Sequence, residues 1–314
     1  MLIDAHAHIF EQINGRIGAG ATIGVGYGQA TIGPNLAQIM PPLSERTAHT
    51  CEMLMAHMAW AGVDKVVLLQ GPFYGECNAY AEAAIRRYPD RLLGAAYLDP
   101  WEADWRAKLQ ELAEASCFRA VKIEFSEATG LSGIHPTARL DDPAIDELGG
   151  WLQRLGWTLT IDLGAIGSRS YQTAAVRSLA ERHPQLRIVV PHLAQPNPQM
   201  DTDGEMLRLW LEQIDLGLLA NVWFDSSALP AYVADRELFP FPSAARYLRM
   251  AIERIGPQKV MWGSDIPGLL AYASYKQLTQ LTDLHTQFLG PADRNRVLFE
   301  NALEVYWSLS PGKI

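Results

Sequence analysis

The chain has little that would tie it to a membrane, a nucleic acid or a disulfide framework. No apolar run among its 314 residues approaches the roughly 18 needed to cross a bilayer, so a membrane role is not expected. Positive charge is sparse: 26 Lys and Arg stand against 35 Asp and Glu, and a net charge of −9 without any basic cluster opposes binding to a phosphate backbone. Nucleic acid is therefore not an expected partner. The three cysteines, Cys51, Cys77 and Cys117, are odd in number and show no CxxC spacing. That argues against paired disulfides and a thiolate metal site, and fits a reducing cytoplasm. The opening MLIDAHAH lacks a basic stretch followed by an apolar one, so no signal peptide is expected.

No Pro/Gly/Ser linker divides the sequence either. Its hydrophobic fraction of 48% and charged fraction of 19% are those of an ordinary globular protein, which favours one domain over 1–314. Short aliphatic runs alternate with amphipathic segments, the signature of repeated βαβ units. Strands are expected near Leu2–Ala5, Lys65–Leu69, Leu93–Leu98, Ala120–Glu124, Thr158–Asp162, Arg187–Val190, Val222–Asp225 and Val260–Gly263. Helical patterns lie between them, from Ser44–Ala61 through Pro143–Leu155 to Ser243–Ile255, with Gly62, Gly156 and Gly256 as stop signals. Eight such units predict a (β/α)8 TIM barrel, an architecture of about 250 residues before loop insertions. An open doubly wound sheet usually has a glycine-rich phosphate turn after its first strand; here that strand runs into His6 and His8 instead.

One connection is too long to be plain. The segment 11–43 carries seven glycines, Gly15 through Gly33, and loops of this length are usually functional or mobile. It is expected to be a lid over the barrel mouth, moved by glycine freedom and offering Tyr27 or Arg16 to substrate. The apolar stretch Val305–Trp307 is expected to pack on its own barrel or on a partner in a homodimer.

The chemistry is expected at the carboxyl ends of the strands, where barrel enzymes place their sites. Residues two apart on a strand share a face, so His6 and His8 project together and supply half of a site for Zn²⁺ or a similar ion. Other strand ends finish in groups of the same kind: Lys122 and Glu124, Asp162, His192 and Asp265. In an inert barrel these positions would more often be apolar, since unpaired buried charge is costly. For Lys122 and Glu124 an internal ion pair is the competing explanation. Gln70 and Tyr74 follow the second strand and are candidates for the pocket wall. Arg169 is a candidate carboxylate binder through paired hydrogen bonds, and His135 a further substrate contact.

Together, IDAHAHIF at 3–10, VKIEF at 121–125, RIVVPHL at 187–193, VWFDSSA at 222–228 and VMWGSDIP at 260–267 resemble the amidohydrolase superfamily. The resemblance is to its amidohydrolase-2 branch, which includes the aminocarboxymuconate semialdehyde decarboxylase-like enzymes. It implies that His6 and His8 are metal ligands, that Asp265 touches metal and shuttles a proton, and that His192 polarises or protonates substrate. The family's fifth strand usually ends in a metal-binding histidine; this chain has Asp162, which implies either a harder His2Asp2 site for Zn²⁺ or Mn²⁺ or a metal-free variant. Glu124 is a further candidate ligand. The implied activity is metal-assisted hydrolysis of an ester, lactone or amide of a small carboxylated molecule. Non-oxidative decarboxylation of an aromatic or muconate-type acid is the alternative, and a barrel that binds a small molecule without turnover is the third.

Overall fold

The computed structural model describes residues 1–115 and 117–308. Eight strands form one sheet: β1 (Ile3–Ala7), β6 (Lys65–Leu68), β7 (Leu92–Tyr97), β8 (Phe118–Glu124), β9 (Thr158–Asp162), β10 (Arg187–Val190), β11 (Val222–Asp225) and β12 (Val260–Met261). They neighbour one another in that order and pair in parallel throughout. The ring closes where β1 meets the segment after β12: Ala5 N donates to Trp262 O at 3.0 Å, Asp265 N to His6 O at 2.8 Å, and His8 N to Ile266 O at 2.9 Å. The protein is thus a (β/α)8 barrel.

Alternation along the strands sorts two cores. Ile3, Ala5, Val67, Leu93, Val189 and Met261, from β1, β6, β7, β10 and β12, meet inside the barrel, whereas Ala7, Val66, Leu68, Val121 and Ile161 pack outward against the helices. The helical segment 291–307 seals the inner core from below. Val305 and Tyr306 are fully buried there, with Tyr306 Oη 3.1 Å from Thr160 Oγ1 and Val305 O accepting from Thr158 Oγ1 at 2.8 Å. The apolar stretch Val305–Trp307 therefore packs on its own barrel.

Two expectations change. The first helix begins at Cys51, not Ser44, and Thr50 caps it through Met53 N. The preceding segment is held elsewhere: Thr47 Oγ1 donates to Gln29 O and accepts from Gly26 N, while His49 exchanges two backbone hydrogen bonds with Phe10. Those partners belong to the long insertion or flank it. The insertion is a regular antiparallel meander of β2 (Asn14–Ile17), β3 (Gly20–Gly26), β4 (Gln29–Ile32) and β5 (Asn35–Gln38). Its glycines serve turns and close approach: Gly28 has φ 77°, and a Cβ at Gly15 would collide with Pro72 O. Tyr27 and Arg16 face solvent, and the insertion reaches the barrel mouth through Ile32 in β4 and Ile39 just after β5 instead.

Candidate active site

The site begins with a bulge in β1. Asp4 pairs with Val66 but Ala7 with Leu68, so β1 holds one more residue than β6 over that span. Ala5 and His6 consequently both face inward, Ala7 faces out, and His8 faces the mouth. Asp4, on the outer face, pins this irregularity. Its Oδ1 accepts from His6 N at 3.0 Å and Ser264 N at 2.9 Å, and its Oδ2 from Ser264 Oγ at 2.5 Å and Tyr275 Oη at 2.7 Å. Burial pushes the Asp4 carboxyl up to about 6, against the opposing pull of these donors.

The two imidazoles are oriented from behind. His6 Nδ1 lies 3.0 Å from Asp225 Oδ2 and His8 Nδ1 lies 2.8 Å from Leu69 O. Both partners only accept, which assigns the protons to Nδ1 and leaves each Nε2 with a free lone pair. Both lone pairs aim at one oxygen: Asp265 Oδ1 is 3.0 Å from His8 Nε2 and 3.6 Å from His6 Nε2. His6 Nε2 is buried and has no hydrogen-bond partner. Three electron-rich atoms converging in a desolvated space repel unless a cation lies among them. A divalent ion bonded at about 2.0–2.1 Å to N and O ligands holds those ligands roughly 3 Å apart, so this trio fits an ion. Burial, reinforced for His6 by the Lys122 and His192 charges, lowers both histidines below the usual imidazole range. They are neutral, as ligation requires. Burial opposes charge on Asp265, yet the neighbouring His192 charge helps hold its carboxyl well below the usual carboxylate range.

Behind the trio, Asp225 is saturated. Its Oδ1 accepts from His192 N at 3.0 Å, Ser227 N at 3.1 Å and the Ser227 hydroxyl, while Oδ2 takes His6 Nδ1. Ser227 Oγ in turn lies 2.8 Å from His192 Nδ1. His192 opens four consecutive left-handed residues, His192, Leu193, Ala194 and Gln195, with φ of 57°, 49°, 59° and 52°. This turn brings two side chains onto Asp162. His192 Nε2 is 3.4 Å from Oδ2, and Gln195 Nε2 donates to Oδ1 at 2.9 Å beside Gly164 N at 2.8 Å. Burial opposes charge on His192, yet Asp162, Asp265 and Asp225 push it up to about 9.

The sequence-derived candidates separate accordingly. Among the described residues, donor atoms lie mutually within 4.8 Å in His6–His8–Asp265 and in His6–His192–Asp225, and neither group includes Asp162 or Glu124. Asp162 is occupied as described. Glu124 Oε2 lies 3.1 Å from Lys122 Nζ and Oε1 accepts from Ser126 Oγ at 2.6 Å, so these two form the internal ion pair. Lys122, Glu124, Asp162, His192, Asp265 and Tyr74 all line one open cavity of about 730 Å³ that also reaches His8. Gln70, Arg169 and His135 are not among its lining residues. Gln70 Nε2 donates to Ala95 O inside the barrel. Arg169 donates to the carbonyls of Pro136 and Ser132, and His135 Nε2 sits 2.7 Å from Asp99.

Several site residues escaped the sequence reading. Asp225 carried the signal used for Asp162, an acidic strand end, within VWFDSSA. Asp4 is masked by simple alternation, because only the bulge separates its face from that of His6. Gln195 and Tyr232 line the cavity from irregular or short elements, and no sequence pattern marks them.

A parallel barrel whose mouth gathers two ligand-ready imidazoles and a carboxylate is the architecture of a metal-assisted barrel enzyme. The chain belongs to the amidohydrolase-2 family: residues 3–307 match the family model described as Amidohydrolase. It is an enzyme, and the expectation of a barrel without turnover is not retained. No curated protein matches the chain. Among solved structures it is similar to an amidohydrolase from Burkholderia multivorans with bound zinc, at 18% identity and TM-score 0.72 over 98% of this chain and 99% of that one. It is also similar to a probable 2-pyrone-4,6-dicarboxylic acid hydrolase from Acinetobacter baumannii, at 17% identity and TM-score 0.65 over 97% and 98% of the two chains. A 5-carboxyvanillate decarboxylase from Sphingomonas paucimobilis is similar at 16% identity and TM-score 0.58 over 83% and 84%. Likeness at this identity speaks for the fold. Among the described residues, no helix is long and apolar enough to cross a membrane.

Proposed function

We propose that the enzyme is a metal-dependent hydrolase that cleaves an ester, lactone or amide bond of a small molecule. The observation that carries this reading is the convergence of the His6 and His8 Nε2 lone pairs on Asp265 Oδ1 at 3.6 and 3.0 Å, with His6 Nε2 otherwise unpartnered. His6, His8 and Asp265 would hold the ion, with Zn²⁺ favoured by two imidazoles and one carboxylate around an open position and Mn²⁺ second. Such an ion supplies Lewis acidity, polarising an acyl oxygen and acidifying water.

The chain's own groups do the rest. Asp265 is ionised and faces the cavity, so its carboxylate accepts a proton from attacking water and returns it to the leaving group. His192, charged through its pairing with Asp162, places an Nε2–H where negative charge grows on the acyl oxygen. Asp225 and Leu69 O hold the two imidazoles in the ligand-ready tautomer. Ile32 and Ile39 give the open cavity part of its apolar lining.

Two measurements test the reading. Protein purified without chelators is expected to contain about one divalent ion per chain, lost in His6→Ala. Oxygen from labelled water is expected in the product acid. The likeness to a decarboxylase supports a second reading, in which the same ion would hold a substrate oxygen and His192 would give its proton to carbon as carbon dioxide leaves. Carbon dioxide release from carboxylated aromatic acids without incorporation of water oxygen would replace hydrolysis by that reading.

A further inference from the structure

The cavity above His8 and Asp265 runs outward to a wall made by the insertion and by the turn after β6. That wall is uncharged: Ile32 and Ile39 come from the insertion, Phe73 and Tyr74 from the turn. Tyr74 stacks on Phe10 with ring centroids 4.7 Å apart and lies 4.8 Å from the His8 ring, so wall and reaction centre are one packed unit. Cations are scarce. Among the described residues lining the cavity, Lys122 is the one Lys or Arg, and its ammonium is already paired with Glu124 at 3.1 Å. Arg169, whose guanidinium would have been the natural carboxylate clamp, is already engaged at the cavity rim, donating to the Pro136 and Ser132 carbonyls and lying 3.4 Å from the Glu127 carboxylate. The carboxylate that reaches the outer cavity, Glu127, is thereby paired with Arg169 and leaves no free cation there among the described lining residues.

A carboxylate on the part of the substrate remote from the scissile bond would lose water there. It would find each nearby cation already engaged, Lys122 by Glu124 and Arg169 by Glu127, and would have to compete with those carboxylates beside an apolar wall. An uncharged ring or chain would bury apolar surface against Ile32, Ile39 and Phe73 instead. We propose that the part of the substrate away from the reacting acyl group is neutral and largely apolar, so that the enzyme selects against compounds carrying an additional carboxylate. The proposal rests on the hydrolytic reading for its choice of substrates, and it replaces the sequence-derived expectation of a carboxylated substrate held by Arg169.

The test uses the purified, metal-loaded enzyme with two matched pairs: dihydrocoumarin and phenyl acetate, each against its ring-carboxylated counterpart. The neutral member of each pair is expected to show kcat/KM higher by about tenfold or more, the ratio that 1.4 kcal/mol produces. Ile39→Lys, which plants a cation in the wall, is expected to shift that ratio toward the carboxylated member. Ile32→Lys gives the same reading if the first variant melts early. Equal rates, or a preference for the carboxylated members, overturn the proposal, as does loss of carboxylated-substrate turnover in Arg169→Ala. If none of the four is hydrolysed, the hydrolytic reading fails on its own, and calorimetric titration of the same compounds decides the present one. Tighter binding of the neutral members sustains it; equal, reversed or undetectable binding overturns it.

Discussion

Trp210 donates its indole N–H to the carbonyl of Leu193 at 2.9 Å and thereby grips, from the surrounding helical layer, the left-handed turn that carries His192 and Gln195. Left-handed backbone costs about 1–2 kcal/mol per non-glycine residue, so four in succession persist only where neighbours fix them. The grip is completed by Asp225 on His192 N and by Asp162 on the Gln195 amide. Strain of this kind is tolerated where it sets the direction of a functional group.

Trp210→Phe keeps most of the ring volume and removes that hydrogen bond. Stability is expected to fall by about 1 kcal/mol, read as a lower melting temperature, and kcat is expected to fall while KM changes little. A variant with lowered stability and undiminished kcat would show that the turn needs no such restraint.

Ala194 tests the backbone directly. At φ 59°, Ala194→Val places a β-branched side chain in a conformation it resists, with an expected loss of about 2 kcal/mol or more. Ala194→Gly removes the backbone penalty but also a buried methyl, and is expected to stay within about 1 kcal/mol of the parent. Chemical denaturation of the pair measures both; equal effects would mean the turn is not strained.

Asp4 gives a pH signature. Its folded-state carboxyl stands at about 6 against an ordinary 3.8, so between those values the folded protein binds more protons than the unfolded one. Stability contributed by this group is therefore lost as pH rises through that window, by up to about 3 kcal/mol. Asp4→Asn lacks the term, and its stability relative to the parent is expected to improve between about pH 4 and pH 6, the window the two values set. Urea melts at both ends of the range provide the check, and a difference independent of pH would refute it.

Asp225→Ala leaves His6 Nδ1, His192 N and Ser227 N without their acceptor. Removing such an orienting carboxylate typically weakens metal affinity by about 10–100-fold. Chelator competition, compared with a variant at an exposed acid such as Glu253→Ala, should reveal the loss.

Asp265→Asn keeps the shape but removes the proton acceptor. A fall in kcat of about 10²–10⁴ is expected, with the bound ion partly retained by His6 and His8. Wild-type rates in this variant would eliminate Asp265 as the base.

Much of this molecule is legible in the amino-acid order, and the gaps have physical causes. The segments 158–162, 187–190 and 222–225 were read at their observed bounds, since buried parallel strands are short aliphatic runs with little else competing. Lys122 and Glu124 were placed on one face by alternation, which holds along β8 up to the cavity. Alternation failed at Asp4, because a bulge depends on pairing with a strand some 60 residues away. The meander at 14–38 was read as a glycine loop: its strands are short, and glycine lowers strand propensity wherever it also permits close packing. Arg169 and His135 looked like pocket residues because they follow strand ends, but Arg169 is taken up by the Ser132 and Pro136 carbonyls and by Glu127 at the rim, and His135 by Asp99.

The floor of the barrel has a consequence for synthesis. The inner faces of strands near the start of the chain, at Ile3, Val67 and Leu93, are covered by Val305 and Tyr306, made some 200 to 300 residues later. A nascent chain that has emerged only as far as β12 offers water an uncovered apolar ring, so chaperone capture of stalled chains should be strongest just before that plug leaves the ribosome.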